Sequence, residues 1–147
     1  MKKEDFINSK ICDKKINEII LCSEECDSRA VFRAIKHTND GPLLKSDFYP
    51  TFVERNKNVI LSEAEQLNHN VDYFGVSVFD NYEQMLNVIN TIPSLRKKTL
   101  CHARGKLNSG KGVMGCFDSN SHFQYFLFDY ENNNPYCDFD YFRKEAL

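Results

Sequence analysis

The spacing of apolar residues changes from a helical to a strand-like period near residue 27, and this change constrains the fold more than any other feature. From residue 3 to about 26, isoleucine and phenylalanine recur mostly at three- and four-residue steps among polar residues, which predicts an amphipathic helix. Residues 30–35, AVFRAI, then alternate in period two, which predicts a strand at least partly covered on both faces. A helix joined to such a strand favours helices packed on a sheet.

Later segments repeat this combination of strands and helices. Residues 37–58 contain glycine and proline and are predicted to be mostly loop. Ser62 to Glu65 has the form of a capping box and predicts a short helix, and Asp80 to Glu83 is predicted to cap a second long helix that Pro93 ends. Aromatic or alternating runs predict further strands at 74–79, 98–107, 111–117 and 122–130, with a short edge strand at 137–142.

These elements predict an α+β fold, with an N-terminal helix and a second long helix packed on a mostly antiparallel sheet of four to six strands. The chain has 147 residues, of which 41% are hydrophobic, and this suits a single domain with one core. The domain is predicted to span residues 1–147, with the N-terminal helix at 1–26 and the core at 29–147.

The apolar runs are short, and this bears on the compartment. None approaches the ~18 residues that a membrane span needs, so we expect no contact with a membrane. The first residues carry lysines, but Glu4, Asp5 and Asp13 interrupt any apolar stretch of the kind a secretory leader requires. We therefore expect a cytoplasmic protein.

The chain has six cysteines, which in a reducing compartment are expected to be buried thiols. Zinc is the alternative, because Cys22 and Cys26 lie one helical turn apart if the N-terminal helix reaches them, and Cys101 with His102 supplies two further ligand types. No second CxxC or HxxxH pattern completes a ligand set, so we expect no metal.

The segment GKLNSGKG, residues 105–112, matches the glycines and lysine of a phosphate-binding loop but has Gly112 where the loop needs a hydroxyl. The residues after Gly112 are poor helix formers, and the remaining stretch of about 35 residues is too short for the parallel sheet such proteins build. Asn108 to Gly110 is therefore interpreted as a hairpin turn that joins the strand at 98–107 to the strand at 111–117.

Charge is uneven along the chain although the formal net charge is −2. Residues 96–111 are basic without an acid, whereas 118–140 are rich in acids and aromatics. These two segments predict either solvated faces that complement each other or a non-catalytic module that docks a protein partner or, less favoured, RNA. Most aromatic side chains of the strand at 122–130 are expected to be core.

Three polar residues stand in structured apolar surroundings: Arg33, Ser77 and His122. A charged side chain inside a strand must find a partner or a ligand, because a buried and unpaired charge costs several kcal/mol. A hydroxyl in an apolar strand and an imidazole beside aromatic rings are also ligand-binding candidates. Each of the three has an equally consistent structural explanation, namely a salt bridge or a hydrogen bond within the fold.

Two of these segments, in this order, resemble motifs of the ADP-ribosyltransferase superfamily. VFRA, residues 31–34, is similar to that superfamily's strand with an aromatic-arginine pair, and GVSVF, residues 75–79, is similar to its second motif strand. The resemblance implies that NAD or a related nucleotide binds, with Arg33 on its phosphates or ribose and Ser77 supporting the nicotinamide. It also implies that Phe79 or Tyr82 stacks on the ring.

The resemblance further implies a catalytic glutamate that follows the second motif in the chain and orients the ribose. The only Glu-x-Glu pattern, Glu63 to Glu65, precedes that motif and is better explained as a helix start. His122 and Glu131 are therefore the catalytic candidates. The layout is also similar to that of small bacterial proteins from toxin-antitoxin or phage-defence neighbourhoods, which is an association and not a mechanism.

Overall fold

The structure, a computed structural model, describes residues 3–6, 10–35, 42–56, 59–93, 101–115 and 121–143. Within these ranges the helices are α1 (Asp13–Leu21), α2 (Thr51–Asn56), α3 (Glu63–Leu67) and α4 (Tyr82–Thr91). The strands are β1 (Ser23–Glu24), β2 (Ala30–Ile35), β3 (Val76–Phe79), β4 (Cys101–Lys106), β5 (Gly112–Gly115), β6 (His122–Leu127) and β7 (Phe139–Arg143). Single turns of 3-10 helix lie at Lys3–Phe6, Lys45–Phe48, Val71–Phe74 and Pro135–Asp138.

The strands form one antiparallel sheet in the order β1-β5-β6-β3-β2-β4-β7. The predicted α+β fold with a mostly antiparallel sheet is confirmed. The described sheet has seven strands, one more than the upper limit of the prediction. The additional strand is β1, where Ser23 and Glu24 pair with Gly115 and Met114 of β5.

The N-terminal helix is shorter than predicted. Helix α1 covers nine residues, and Lys10 before it has a φ of 60°, which a helix does not allow. After Leu21 the Ser23 hydroxyl binds the Ile19 carbonyl, and the chain then joins the edge of the sheet. The predicted helix at 3–26 was too long because pairing with β5 overrides the continuing helical period, and sequence periodicity does not report that pairing.

Two faces of the sheet follow from the register of the strands. Val31, Arg33 and Ile35 of β2 point to one side, the inner face, where residues of α1 and α2 pack in the main hydrophobic cluster. The alternate residues point to the outer face, where Phe32 and Ala34 pack beneath α4 against Met85 and Ile89. The two-sided covering predicted for this strand is confirmed.

The turn at Asn108–Gly110 does not make the predicted hairpin. Strands β4 and β5 follow one another in the chain, but β2, β3 and β6 lie between them in the sheet. Lys111 lies just before β5 and Asp138 lies just before β7, and their side chains form an ion pair at 2.7 Å. Yet β5 and β7 are near opposite ends of the strand order. The sheet is thus rolled strongly, and the short connection crosses one end of the roll instead of folding back.

Other local predictions have mixed outcomes. The capping box at Ser62 is present, with the serine hydroxyl accepting from the Glu65 amide, and α4 runs as predicted although Asn81, not Asp80, is its cap. Residues 37–58 were predicted to be mostly loop, but the described part contains a 3-10 turn and α2, which begins directly after Pro50. Residues 36–41 and 57–58 lie outside the described ranges.

Within the described ranges, no helix has the length and apolar character that crossing a membrane requires.

Candidate functional site

Arg33 is buried on the inner face, and protein groups bind its guanidinium. Nε donates to the carbonyl of Asp47 at 2.7 Å, Nη1 to the carbonyl of Ser77 at 2.6 Å and Nη2 to the carboxylate of Glu54 at 3.2 Å. Burial lowers the pKa of Arg33, while the charges of Glu54 and Asp47 act in the opposite direction. These contacts account for a buried cation without any ligand, as the salt-bridge explanation from the sequence requires.

Ser77 and His122 come together on the outer face. Strands β3 and β6 are neighbours, with Phe79 opposite His122 and Ser77 opposite Gln124. The Ser77 hydroxyl and the His122 Nε2 form a hydrogen bond, and both residues are half-buried. A hydroxyl in contact with an imidazole is the arrangement in which a histidine can take up or return a hydroxyl proton.

Gln124 completes this group, and sequence reasoning missed it. Its side chain is 6% exposed, and its Oε1 has no hydrogen-bond partner among the described residues. A Cβ on Gly75 would lie 2.7 Å from the Gln124 Cβ, so a glycine leaves the room that the amide occupies. The only sequence signal was a glutamine inside an aromatic strand. We call Ser77, His122 and Gln124 the outer-face group.

The predicted ring-stacking residues are part of the packing of α4. Phe79 is buried and its ring lies 5.0 Å from that of His122. Tyr82 is half-buried, contacts the ring of Phe32 at 5.4 Å and binds the His102 Nδ1 at 2.9 Å through its hydroxyl. Desolvation raises the pKa of Tyr82. Phe79 therefore borders the outer-face group as an aromatic wall, whereas the contacts of Tyr82 are with Phe32, His102 and Phe142.

The Arg33 guanidinium contacts Ser77 at its backbone carbonyl. Register places the Arg33 side chain on the inner face and the Ser77 side chain on the outer face, so the sheet separates the guanidinium from the hydroxyl. The structure therefore brings Ser77 and His122 into one group but not Arg33. The sequence alone does not show that the two side chains lie on opposite faces. Which residues of two strands share a face is known only when the register between the strands is known.

Glu131 lies away from His122. The strand between them, His122–Leu127, spans about 17 Å at the usual rise per residue. Glu131 forms an ion pair with Lys10 and lines a separate cleft of about 260 Å³. The two residues that the resemblance implied as catalytic candidates thus belong to different places in the fold.

The described cysteines are in the thiol form: Cys12, Cys22, Cys26, Cys101 and Cys137. Cys101 is buried as expected, but Cys137 is exposed and the other three are intermediate. Cys22 lies just beyond the end of α1 and Cys26 lies past β1, so the two no longer share a helical turn. Within the described residues, no group of three potential metal ligands is close enough to hold an ion.

The segments considered for docking are mostly accounted for by internal contacts. Phe123, Tyr125 and Phe126 are almost fully buried, which confirms that most aromatics of this strand are core. In the basic segment Lys111 is bound to Asp138, whereas Arg104 and Lys106 are exposed. Residues 96–100 of that segment lie outside the described ranges.

Comparisons of the chain with models of protein families, with curated proteins and with solved structures found no match.

Proposed function

We propose that this chain is a small nucleotide-binding domain of the ADP-ribosyltransferase-like kind, whose ligand binds on the outer face at Ser77, His122 and Gln124. The observation that carries the proposal is the hydrogen bond between the Ser77 hydroxyl and the His122 imidazole. This hydrogen bond connects Ser77, which belongs to the second motif of the resemblance, with His122, which the sequence indicated as a candidate on separate grounds. The two motif strands, β2 and β3, are also neighbours in the sheet.

The chemistry of the group suits a ligand with both amide and hydroxyl functions, such as NAD. The buried Gln124 Oε1 is an acceptor that a ligand N–H group would satisfy, and leaving it unsatisfied costs about 1 to 3 kcal/mol. Ser77 and His122 can each donate to or accept from ribose hydroxyls or a carboxamide. Phe79 supplies an apolar wall beside the imidazole.

In this proposal the phosphates are bound by a residue other than Arg33, whose described contacts hold it on the inner face. Register places Arg104 of β4 opposite Phe32, and Phe32 opposite Phe79, on the outer face. Two strand spacings, about 10 Å, therefore separate the backbone of Arg104 from that of Phe79. Arg104 is exposed and is the cation we assign to the phosphates.

Calorimetric titration of the folded protein with NAD, ADP-ribose and ADP tests the proposal. Ser77→Ala and His122→Gln are each expected to weaken binding about tenfold or more, since each removes a hydrogen bond to the ligand. The matched controls are Ser109→Ala, an exposed serine in the turn before β5, and His69→Gln, which stacks on Tyr73 away from the sheet. Absence of binding by all three nucleotides to a well-folded sample contradicts the proposal.

Catalysis is a separate step with its own readout. His122 is the described group of the site that can accept a proton from an attacking hydroxyl, so turnover of NAD would release nicotinamide in a His122-dependent reaction. Chromatography of free nicotinamide with wild type and His122→Gln distinguishes an enzyme from a binding domain. Association with toxin-antitoxin or phage-defence systems stays a prediction.

The second candidate function is a non-catalytic module that docks RNA or a protein through the basic segment. The exposed side chains of Arg104 and Lys106 favour it, since surface cations attract phosphates and acidic surfaces. A mobility shift with RNA that weakens steeply with salt, and that Lys106→Gln reduces, would support docking. Nucleotide binding that depends on Ser77 would favour the first function instead.

A further inference from the structure

A cleft lies beside α2 and shares no lining residue with the outer-face group. It has a volume of about 260 Å³. Its lining is aliphatic and aromatic except for one cation and one anion: Lys10, Tyr49, Phe52, Val53, Val59, Ile60, Leu61, Tyr130 and Glu131. This volume falls below the roughly 300 to 1,000 Å³ typical of sites for drug-sized ligands, so the cleft suits a molecule smaller than a dinucleotide.

The floor of the cleft is apolar and its charges are at the rim. Phe52, Leu61 and Tyr130 are each less than one-tenth exposed, and the ring of Phe52 meets that of Tyr130 edge-on at 5.6 Å. The Lys10 and Glu131 side chains pair with each other and are each 42% exposed. Burial, followed by the charge of Glu131, raises the pKa of Tyr130, as expected for a phenol beside an anion.

A buried amide holds two walls of the cleft together. Gln66 of α3 is 4% exposed, accepts from the Cys12 N–H at 2.7 Å and donates to the carbonyls of Lys10 at 3.2 Å and Leu61 at 3.1 Å. The Lys10 backbone is thereby fixed beside Leu61 even though its φ is 60°. The backbone that carries the rim cation is therefore held in place before any ligand arrives, which lowers part of the entropy cost of binding.

We propose that this cleft binds a free amino acid with an aliphatic or aromatic side chain. The ligand carboxylate binds Lys10, its ammonium group binds Glu131, and its side chain lies on the floor formed by Phe52, Leu61 and Tyr130. One cation beside one anion above an apolar floor is complementary to a zwitterion with an apolar tail in charge, in polarity and in size.

Separating the resident ion pair to admit the ligand is inexpensive. Exposed ion pairs of this kind contribute little to stability, and the ligand restores an opposite charge to each partner. A ligand that has only the carboxylate or only the ammonium group would separate Lys10 from Glu131 and then leave one of these two side chains without an opposite charge. The site therefore discriminates against simple acids and simple amines with the same side chain.

Titrations followed by calorimetry and by chemical shifts of the protein test the proposal with defined probes. L-leucine and L-phenylalanine are expected to bind and to shift the methyl resonances of Val53, Ile60 and Leu61. Isocaproate lacks the ammonium group of leucine, isoamylamine lacks its carboxylate and glycine lacks its side chain, so each is expected to bind about tenfold more weakly or not at all.

Charge-removing variants assign the rim contacts. Lys10→Met and Glu131→Gln are each expected to weaken leucine binding about tenfold. The matched control pair is Lys14→Met and Glu63→Gln, because Lys14 and Glu63 form an ion pair at 3.6 Å with even more exposed side chains. Both control variants are expected to bind leucine like the wild type, as is Ser77→Ala, since the outer-face group lies elsewhere.

The proposal would be overturned if the folded wild-type protein bound neither amino acid at millimolar concentration. It would also be overturned if glycine bound as tightly as leucine, or if the control variants lost as much leucine affinity as the rim variants. Chemical-shift changes that appear around Ser77 and not in the cleft would do so as well. Because the rim residues are exposed, their variants are expected to fold, which circular dichroism checks.

Discussion

Arg33 donates a hydrogen bond of 2.6 Å to the backbone carbonyl of Ser77, so the buried guanidinium on one face of the sheet supports the strand that presents the serine hydroxyl on the other. The same guanidinium also binds the carbonyl of Asp47 and the carboxylate of Glu54. It therefore ties the connection after β2, and helix α2, to the centre of the sheet. In the proposed function Arg33 therefore supports β3 from the inner face and does not contact the ligand.

Replacement of Arg33 is therefore expected to affect stability first. Arg33→Met leaves two buried carbonyls without their donor and should lower the free energy of unfolding by about 3 kcal/mol. Urea unfolding followed by fluorescence measures this loss. The control is Arg104→Met, an exposed arginine on the adjacent strand β4, which should change stability by less than about 0.5 kcal/mol. A stable Arg33→Met protein that has lost only nucleotide binding would contradict the structural role.

Gly105 is expected to tolerate no side chain. A Cβ there would lie 2.3 Å from the Asp138 carbonyl oxygen and 2.7 Å from the Phe139 ring, because β7 crosses close to β4 at this point. Gly105→Ala should cost about 2 to 3 kcal/mol as the two strands are forced apart. Gly110→Ala is the control, since its Cβ would meet only the Asn108 side chain at 3.2 Å. Thermal unfolding of the two variants compares them, and equal melting temperatures would refute the close approach.

Stability is expected to fall at alkaline pH partly through Tyr125. The Tyr125 side chain is 1% exposed, and its hydroxyl donates to the Asn108 carbonyl at 3.1 Å. Burial raises the pKa of Tyr125 above its ordinary value, so the folded state favours the neutral phenol. The resulting stabilisation is complete below the ordinary tyrosine pKa of about 10 and is lost as the pH rises toward the folded-state value.

Urea midpoints of wild type and Tyr125→Phe between pH 7 and 10.5 measure this linkage. The variant should be less stable than the wild type at pH 7, because it lacks the hydrogen bond to Asn108. Its midpoint should then fall less with rising pH. Parallel curves for the two proteins would show that the phenol does not contribute to the alkaline loss.

Cys26 is expected to react slowly with thiol reagents. Burial, with smaller contributions from Asp27 and Glu25, raises the pKa of Cys26 to about 11, and its thiol donates to the Gly112 carbonyl at 3.3 Å. At pH 8 only about one molecule in a thousand then carries the reactive thiolate. Brief treatment with N-ethylmaleimide followed by peptide mass spectrometry should show modification at the exposed Cys137 well before Cys26. The reverse order would contradict the burial of Cys26.

Much of the local structure was readable from the sequence. Period two at residues 30–35 predicted β2 and its two covered faces, and the capping pattern at Ser62 predicted the start of α3. These signals are local. The alternation of side chains along a strand and the cap of a helix both depend on residues only a few positions apart in the chain. The aromatic content of residues 122–130 likewise predicted β6 and its burial.

The candidate site was predicted only in part. Ser77 and His122 were both singled out, yet nothing in their spacing showed that they touch, since that contact depends on β3 pairing with β6. Gln124 had only one weak signal, its place in an aromatic strand, and Lys10 had none. Glu131 was chosen as a candidate through the family resemblance, and only the fold shows that it lies in the cleft beside Lys10.

The sequence by itself determined most of the strands, helix α4 and the start of α3, because backbone geometry and solvent act on near neighbours; it missed β1 and α2 and made α1 too long. The tertiary structure decided which strands are adjacent. As a result, the turn at Asn108–Gly110 crosses the rolled sheet instead of closing a hairpin. The register of the strands also places the Arg33 and Ser77 side chains on opposite faces. The physical reason is that strand pairing and register are chosen by the packing of the whole core. A change of one residue in register sends every side chain of a strand to the other face.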